Sequence, residues 1–123
     1  MTDGRSYTRE EAEAELDVLR ELLPRLREAR RAIIDAGRLI EEAVAIDGGG
    51  TEGSAWFRHQ ATLRQGLEEL ARKDIALRNP ETGLVDFPAT IDGRPVFLCW
   101  KLGERGIGFF HETNAGYGGR QPL

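Results

Sequence analysis

Apolar side chains recur at every second position on both sides of Asp92-Gly93, in the segment that runs from Gly83 to Glu104. A period of two is typical of strands that bury one face. Asp92 and Gly93 can adopt the positive φ angles of a type I′ turn, so the segment predicts a β-hairpin. The turn sets a register in which Ile91 pairs with Arg94, while the pairs Ala89–Val96, Phe87–Leu98 and Val85–Trp100 face the core.

The opposite face of this hairpin carries a mixed set of side chains. The same register places Asp86 directly across from Cys99, the one cysteine of the chain. Their neighbours on that face are Leu84 across from Lys101 and Pro88 across from Phe97. Because a negative neighbour disfavours the thiolate, we expect Cys99 to be a poor nucleophile.

The first half of the chain has the spacing of threes and fours that predicts an amphipathic helix. Thr8 and Glu11 form a capping-box pattern at its start, and the apolar stripe continues to about Ile46. Pro24 lies inside this helix and predicts a bend near Leu19 to Leu23, beyond which the helix continues. At 1.5 Å per residue, such a helix spans on the order of 50 Å, which is longer than a small sheet can cover.

A glycine-rich stretch, residues 47–53, then predicts a flexible connector. Ser54 is suited to cap a second helix over about residues 55–72, where apolar residues again recur at helical spacing. Residues 7–72 are therefore expected to form a helical hairpin.

From Lys73 the period changes to two, which predicts a sheet over residues 73–113. Residues 79–83 and 103–106 have the composition of turns, and the tail, residues 114–123, is expected to fold back on the sheet without forming a strand. The predicted architecture is a single α+β domain over residues 1–123, with an N-terminal helical hairpin packed on a four-stranded antiparallel meander.

If the loop after the central hairpin pairs Leu102 with Ile107, then His111 faces Leu98 on the core side of the sheet. His111 would then lie under the helical hairpin, within reach of His59, Glu11 or Glu15. In the same register Phe109 faces Trp100, and Phe110 and Glu112 lie beside Cys99 and Phe97. A nucleophilic pair of Cys99 and His111 is disfavoured, because the two would point to opposite faces.

Several polar side chains nevertheless have the chemistry that a metal site or a ligand site requires. Histidine, cysteine and carboxylates can bind Zn²⁺ or Fe²⁺ where at least three converge. The alternative is a hydrogen-bonded core histidine, a small buried cysteine and carboxylates at the rim. Arg120 could pair with Asp86 or Glu112, or could hold an anionic ligand.

Charge and composition indicate which classes of partner and which location to expect for the chain. The net charge of −4 and a pI near 5.3 argue against binding to phosphate backbones. The longest apolar runs are too short to cross a membrane, and the first residues lack the apolar region of a signal peptide, so we expect a cytoplasmic protein. One cysteine excludes an intramolecular disulfide.

Several blocks of the sequence together resemble a family of small prokaryotic proteins of unknown function. They are Tyr7-Thr8-Arg9-Glu10-Glu11-Ala12, Gly83-Leu84-Val85-Asp86-Phe87-Pro88, Leu98-Cys99-Trp100-Lys101-Leu102-Gly103-Glu104, Phe110-His111-Glu112 and the closing Gly116-Tyr117-Gly118-Gly119-Arg120-Gln121-Pro122-Leu123. The resemblance implies a helical hairpin followed by a small sheet and brings no substrate or cofactor. The polar positions that match its motif are Asp86, Cys99, Glu104, His111, Glu112 and Arg120.

Two functions remain open at this point. The first is an interaction module that forms a homodimer through the long N-terminal helix. The alternative is a metal-binding or small-molecule-binding protein, or an enzyme. For this alternative the candidate metal ligands are His111 and Glu112, with zinc or iron as the metal, and the candidate ligand-binding residues are Asp86, Cys99, Glu104 and Arg120.

Overall fold

The computed structural model describes residues 5–47 and 52–123, and it has the predicted α+β class. Helices occupy the first part of this range and an antiparallel sheet the second. The helices are α1 (Arg9–Glu13), α2 (Leu16–Asp47) and α3 (Glu52–Arg72). The strands are β1 (Ala76–Asn79), β2 (Leu84–Ile91), β3 (Arg94–Lys101), β4 (Phe109–Glu112) and β5 (Gln121–Pro122), with a 3-10 turn over Tyr117–Gly119.

The capping box at the first helix is confirmed. The Thr8 hydroxyl accepts from the Glu11 amide at 3.0 Å, and the Glu11 carboxylate accepts from the Thr8 amide at 2.9 Å. The predicted single helix is interrupted at residues 14–15, which separate α1 from α2. Helix α2 continues through Pro24 as expected, and the bend near Leu19 to Leu23 stays a prediction.

The prediction for the start of the second helix was wrong by a few residues. Helix α3 begins at Glu52, so Ser54 lies inside the helix instead of capping it. Asp47, assigned by sequence to the connector, is the last residue of α2. Residues 48–51 of the predicted connector lie outside the described residues, and residues 52–53 belong to α3.

The central hairpin has the predicted register over its whole length. Asp92 and Gly93 have φ angles of 51° and 78°, as a type I′ turn requires. The strands β2 and β3 pair Ile91 with Arg94, and every further pair down to Leu84 with Lys101 matches the prediction. A two-residue turn of this type leaves the strands a single way to pair, which is why the sequence was sufficient here.

The sheet has five strands in the order β1-β2-β3-β4-β5, and the prediction of four was therefore wrong. The additional strand, β5, comes from the tail and pairs with β4 through Phe109–Pro122 and Phe110–Gln121. The Leu123 amide also donates to the Gly108 carbonyl at 2.9 Å. Pairing needs only backbone groups, so the glycines of the tail do not prevent it.

The register of β4 also differs from the prediction, by one residue. His111 lies opposite Phe97 and Phe110 lies opposite Leu98, so Phe110 faces the core and His111 the other side. The chain between β3 and β4 spans residues 102–108, because Ile107 leaves the ladder and is fully buried in the core. A slip of one residue turns every side chain of a strand to the opposite face.

The core lies between the helices and one face of the sheet. Leu19, Leu23 and Leu26 of α2 pack with Phe87 and Trp100 of the hairpin. The two long helices also approach each other closely. Gly66 of α3 is buried, and a Cβ at this position would overlap the Leu26 side chain.

Among the helices that the structure describes, none has both the length and the apolar character that crossing a bilayer requires.

Candidate functional site

Three buried side chains on the outer face of the sheet, the face turned away from the helices, form the candidate site. Asp86 of β2, Cys99 of β3 and His111 of β4 are 2%, 0% and 4% exposed. Each offers one ligand atom, and these three atoms lie within 4.8 Å of one another. We call Asp86, Cys99 and His111 the donor cluster.

The donor cluster corrects two predictions. His111 does not lie under the helical hairpin near His59, Glu11 or Glu15, since its Nε2 is 3.0 Å from Asp86 Oδ2 on the outer face. It also does not point away from Cys99. Cys99 and His111 therefore lie on the same face, because the register of β4 differs by one residue from the predicted register.

The other predicted site residues lie outside the donor cluster. The Glu112 carboxylate pairs with Arg94 at 3.0 Å, on the opposite side of β4 from His111, so the structure does not bring this carboxylate into the donor cluster. Arg120 pairs with Glu104 at 2.7 Å instead of with Asp86 or Glu112. The Arg120 guanidinium also lies over the Phe109 and Tyr117 rings, at 3.9 and 4.7 Å from their centroids.

Arg120 anchors the tail to the sheet. Arg120 belongs to the tail, whereas Glu104 lies between β3 and β4 and Phe109 is the first residue of β4, so the ion pair and the stacking join the tail to the sheet. The Arg120 side chain is 11% exposed, and its Nη1 is buried without a hydrogen-bond partner among the described residues. Residues 114–117 of the same tail lie beside the donor cluster on the outer face.

The hydrogen bonds of His111 leave one of its nitrogens aimed at the donor cluster. Nδ1 lies 2.8 Å from the Glu112 carbonyl oxygen, which can only accept, so Nδ1 carries a hydrogen. Nε2 then faces a carboxylate oxygen of Asp86, and this contact also needs a proton between the two atoms. A cation at this place would substitute for that proton, because both atoms have lone pairs directed toward it.

Asp86 has capacity for a further ligand. Its Oδ2 accepts from Arg78 Nε at 2.9 Å as well as contacting His111. Its Oδ1 is buried and has no hydrogen-bond partner among the described residues. A buried carboxylate oxygen without a partner is rare and costs on the order of 1–3 kcal/mol, so something that binds it would stabilise the protein.

Cys99 is held as a neutral thiol in the metal-free protein. Burial raises the pKa of Cys99 to about 11, and the negative charge of Asp86 acts in the same direction. The positive charge of Arg120 acts against them and is the smaller effect. The expected influence of Asp86 is thus present, but burial is the larger cause.

The donor cluster borders a cavity of about 340 Å³ between the outer face and the tail. Residues 113–117 form one side of this cavity, and Phe97, Leu84 and Arg78 join the donor cluster on the other. A small molecule in this cavity would therefore lie beside the donor cluster.

Arg78 is a residue that the sequence analysis missed. It lies at the rim of the cavity, with its Nε on Asp86 and its guanidinium 5.0 Å from the centroid of the Phe97 ring. The sequence does contain a signal for Arg78, because Leu77 alternates with Ala76 and Arg78 at the start of the sheet. Leu77 pairs with Val85 and therefore belongs to the core face. The neighbours of Leu77 must then face the same side as Asp86.

A family model of uncharacterised conserved proteins, DUF2203, matches residues 5–123, which is nearly the whole chain. The chain belongs to this family. The donor cluster, the cavity and the tail all lie within the part that DUF2203 covers. Searches of the curated proteins and of the solved structures found no match.

The raised pKa of Cys99 has a measurable consequence. We expect iodoacetamide to alkylate the folded, metal-free protein slowly at neutral pH, with a rate that rises about tenfold per pH unit between about pH 8 and about pH 10. The reason is that the thiolate fraction keeps growing up to the pKa of about 11. The protein unfolded in guanidinium chloride is the control, and its rate should level off near the ordinary thiol pKa. A rate for the folded protein that is already constant near pH 7 would contradict this account.

Proposed function

We propose that this chain binds a divalent transition metal, zinc or iron(II), through a carboxylate oxygen of Asp86, Cys99 Sγ and His111 Nε2. The observation that supports it is the convergence of these three buried donors beside a cavity. Carboxylate, thiolate and imidazole together suit zinc and iron(II), whereas magnesium and calcium prefer oxygen ligands alone.

The spacing of the donors suits such an ion. Around a tetrahedral zinc, ligand atoms lie roughly 3.5 Å apart. The ligand atoms of the donor cluster are all within 4.8 Å of one another, so small side-chain rotations would bring them onto one ion. Three protein ligands leave a fourth position, and the cavity of about 340 Å³ is where water or another ligand would take it.

The surroundings of the donors also suit a metal. The Glu112 carbonyl fixes Nδ1 of His111 and leaves Nε2 for coordination, which is the usual support of a metal-binding histidine. Arg78 orients Asp86 through Oδ2 and leaves Oδ1 without a partner. Glu112 thus contributes through its backbone, and its carboxylate is not a ligand.

Metal content of the purified protein tests the proposal. We expect close to one zinc or iron per chain in protein made without a His-tag, measured by elemental analysis. His111→Ala and Asp86→Asn should each lower zinc affinity at least about a hundredfold, because each removes one of only three ligands. Glu112→Gln is the matched control and should bind zinc like the wild type, since its backbone carbonyl is kept.

The pH dependence provides a second criterion. Zinc must displace the Cys99 proton, whose pKa is raised to about 11, so zinc affinity should rise at least about tenfold per pH unit around neutral pH. Wild-type protein that neither retains nor takes up zinc or iron(II) would overturn the proposal. An equal loss in Glu112→Gln and His111→Ala would also count against it.

A second candidate function is the homodimer through the long helix. The hairpin of α2 and α3 supports it: among the described side chains, none after Ala29 of α2 or before Gly66 of α3 is fully buried. A groove of about 520 Å³ lies there and includes Ile33, Leu63 and Leu67. Arg64 and Glu68 border the groove, so a twofold axis could pair each with its opposite on a second copy.

Light scattering after gel filtration tests the homodimer. We expect a dimer at micromolar concentration, and we expect Leu67→Glu to give a monomer because it places a charge in the groove. Val18→Glu is the matched control, since Val18 is as exposed as Leu67, at 43% and 42%, and lies outside the groove. A monomeric wild type would remove this candidate. A substitution at Leu26 would not be a suitable test of the dimer, because Leu26 is 1% exposed and belongs to the core of the single chain.

A further inference from the structure

The cavity beside the donor cluster has a cation at its rim. Arg78 lines the cavity, and its side chain is 47% exposed. Its Nε donates to Asp86 at 2.9 Å, and its guanidinium lies over the Phe97 ring. These two contacts fix the plane of the guanidinium.

The outer edge of that guanidinium has no assigned role. Neither terminal nitrogen of Arg78 forms a hydrogen bond to a residue that the structure describes, since its ion pair uses Nε alone. Two parallel N–H groups on a fixed guanidinium match the two oxygens of a carboxylate or phosphate. An oxyanion bound there would lie near Asp86, which the same guanidinium contacts through Nε.

The charge around the cavity is also suited to an anion, although the chain as a whole has a net charge of −4. Arg78 and Asp86 line the cavity as an ion pair. Lys101 and Arg120 lie over the ring of Tyr117, another lining residue, and Arg120 pairs with Glu104. Lys101 contributes from the side of the tail, where its Nζ lies 3.4 Å from the hydroxyl of Tyr117, a residue that lines the cavity. A divalent metal on the donor cluster would make the cavity more positive still.

We propose that the cavity binds a small molecule that bears a carboxylate or a phosphate, with this oxyanion on the terminal nitrogens of Arg78. The remainder of the ligand lies between Phe97 and residues 113–117 and extends toward the donor cluster. A volume of about 340 Å³ is at the lower end for ligand sites, so the ligand is a metabolite-sized molecule and not a polymer. The ligand's position next to the metal rests on the proposed function, whereas its contact with Arg78 does not.

Calorimetric titration with malonate and with inorganic phosphate tests this inference, at constant ionic strength and on both zinc-loaded and metal-free protein. We expect saturable binding of at least one probe, and the tighter probe identifies the class of oxyanion. Arg78→Gln should weaken that binding at least about tenfold, because the bidentate contact is lost. Arg78→Lys keeps the charge without the planar fork and should recover only part of it.

The matched control is Arg94→Gln, because Arg94 is a similarly exposed arginine, at 55%, that pairs with Glu112 outside the cavity. It should bind the probes like the wild type. Full zinc content without saturable probe binding, or equal weakening in Arg78→Gln and Arg94→Gln, would overturn this inference and leave the metal proposal intact. Probe binding that depends on Arg78 in a protein unable to hold zinc would support the inference and overturn the metal proposal instead.

Discussion

Ile107 is inserted into the core between β3 and β4, and its burial determines which face of the sheet His111 occupies. Contacts from the helices hold this segment in place. The Ile107 amide donates to the Glu13 carboxylate at 3.1 Å, and the Arg105 carbonyl accepts from Arg20 at 2.8 Å. On the strand side, Glu104 accepts from the Lys101 amide and from the Trp100 indole. The N-terminal helices thus fix the register that brings His111 to Asp86 and Cys99.

The same constraint explains what could be predicted from the sequence and what could not. For β2 and β3, two turn residues with positive φ determined the register without reference to the rest of the chain. For β3 and β4, the register depended on whether Ile107 joins the ladder or the core. That choice is made by Glu13 and Arg20, which are far away in sequence, so local patterns contained no information about it.

In the candidate site, too, some positions could be predicted from the sequence and others could not. The proximity of Asp86 and Cys99 followed from the central hairpin alone and is confirmed. His111 was identified as a candidate by its chemistry but was placed on the wrong face. Arg120 was expected to pair with Asp86 or Glu112 or to hold an anionic ligand, yet its partner is Glu104, because the tail adds a strand next to β4 and brings Arg120 to Phe109. Long-range pairing of a short strand leaves little trace in a sequence.

Zinc K-edge X-ray absorption of the zinc-loaded protein tests the account most directly, because it identifies the atoms around the metal. Our account predicts one sulfur at about 2.3 Å together with nitrogen and oxygen atoms at about 2.0–2.1 Å. The sulfur shell should disappear in Cys99→Ser, since the chain has a single cysteine. A wild-type spectrum with nitrogen and oxygen neighbours only would contradict the account, because it would place the metal away from Cys99.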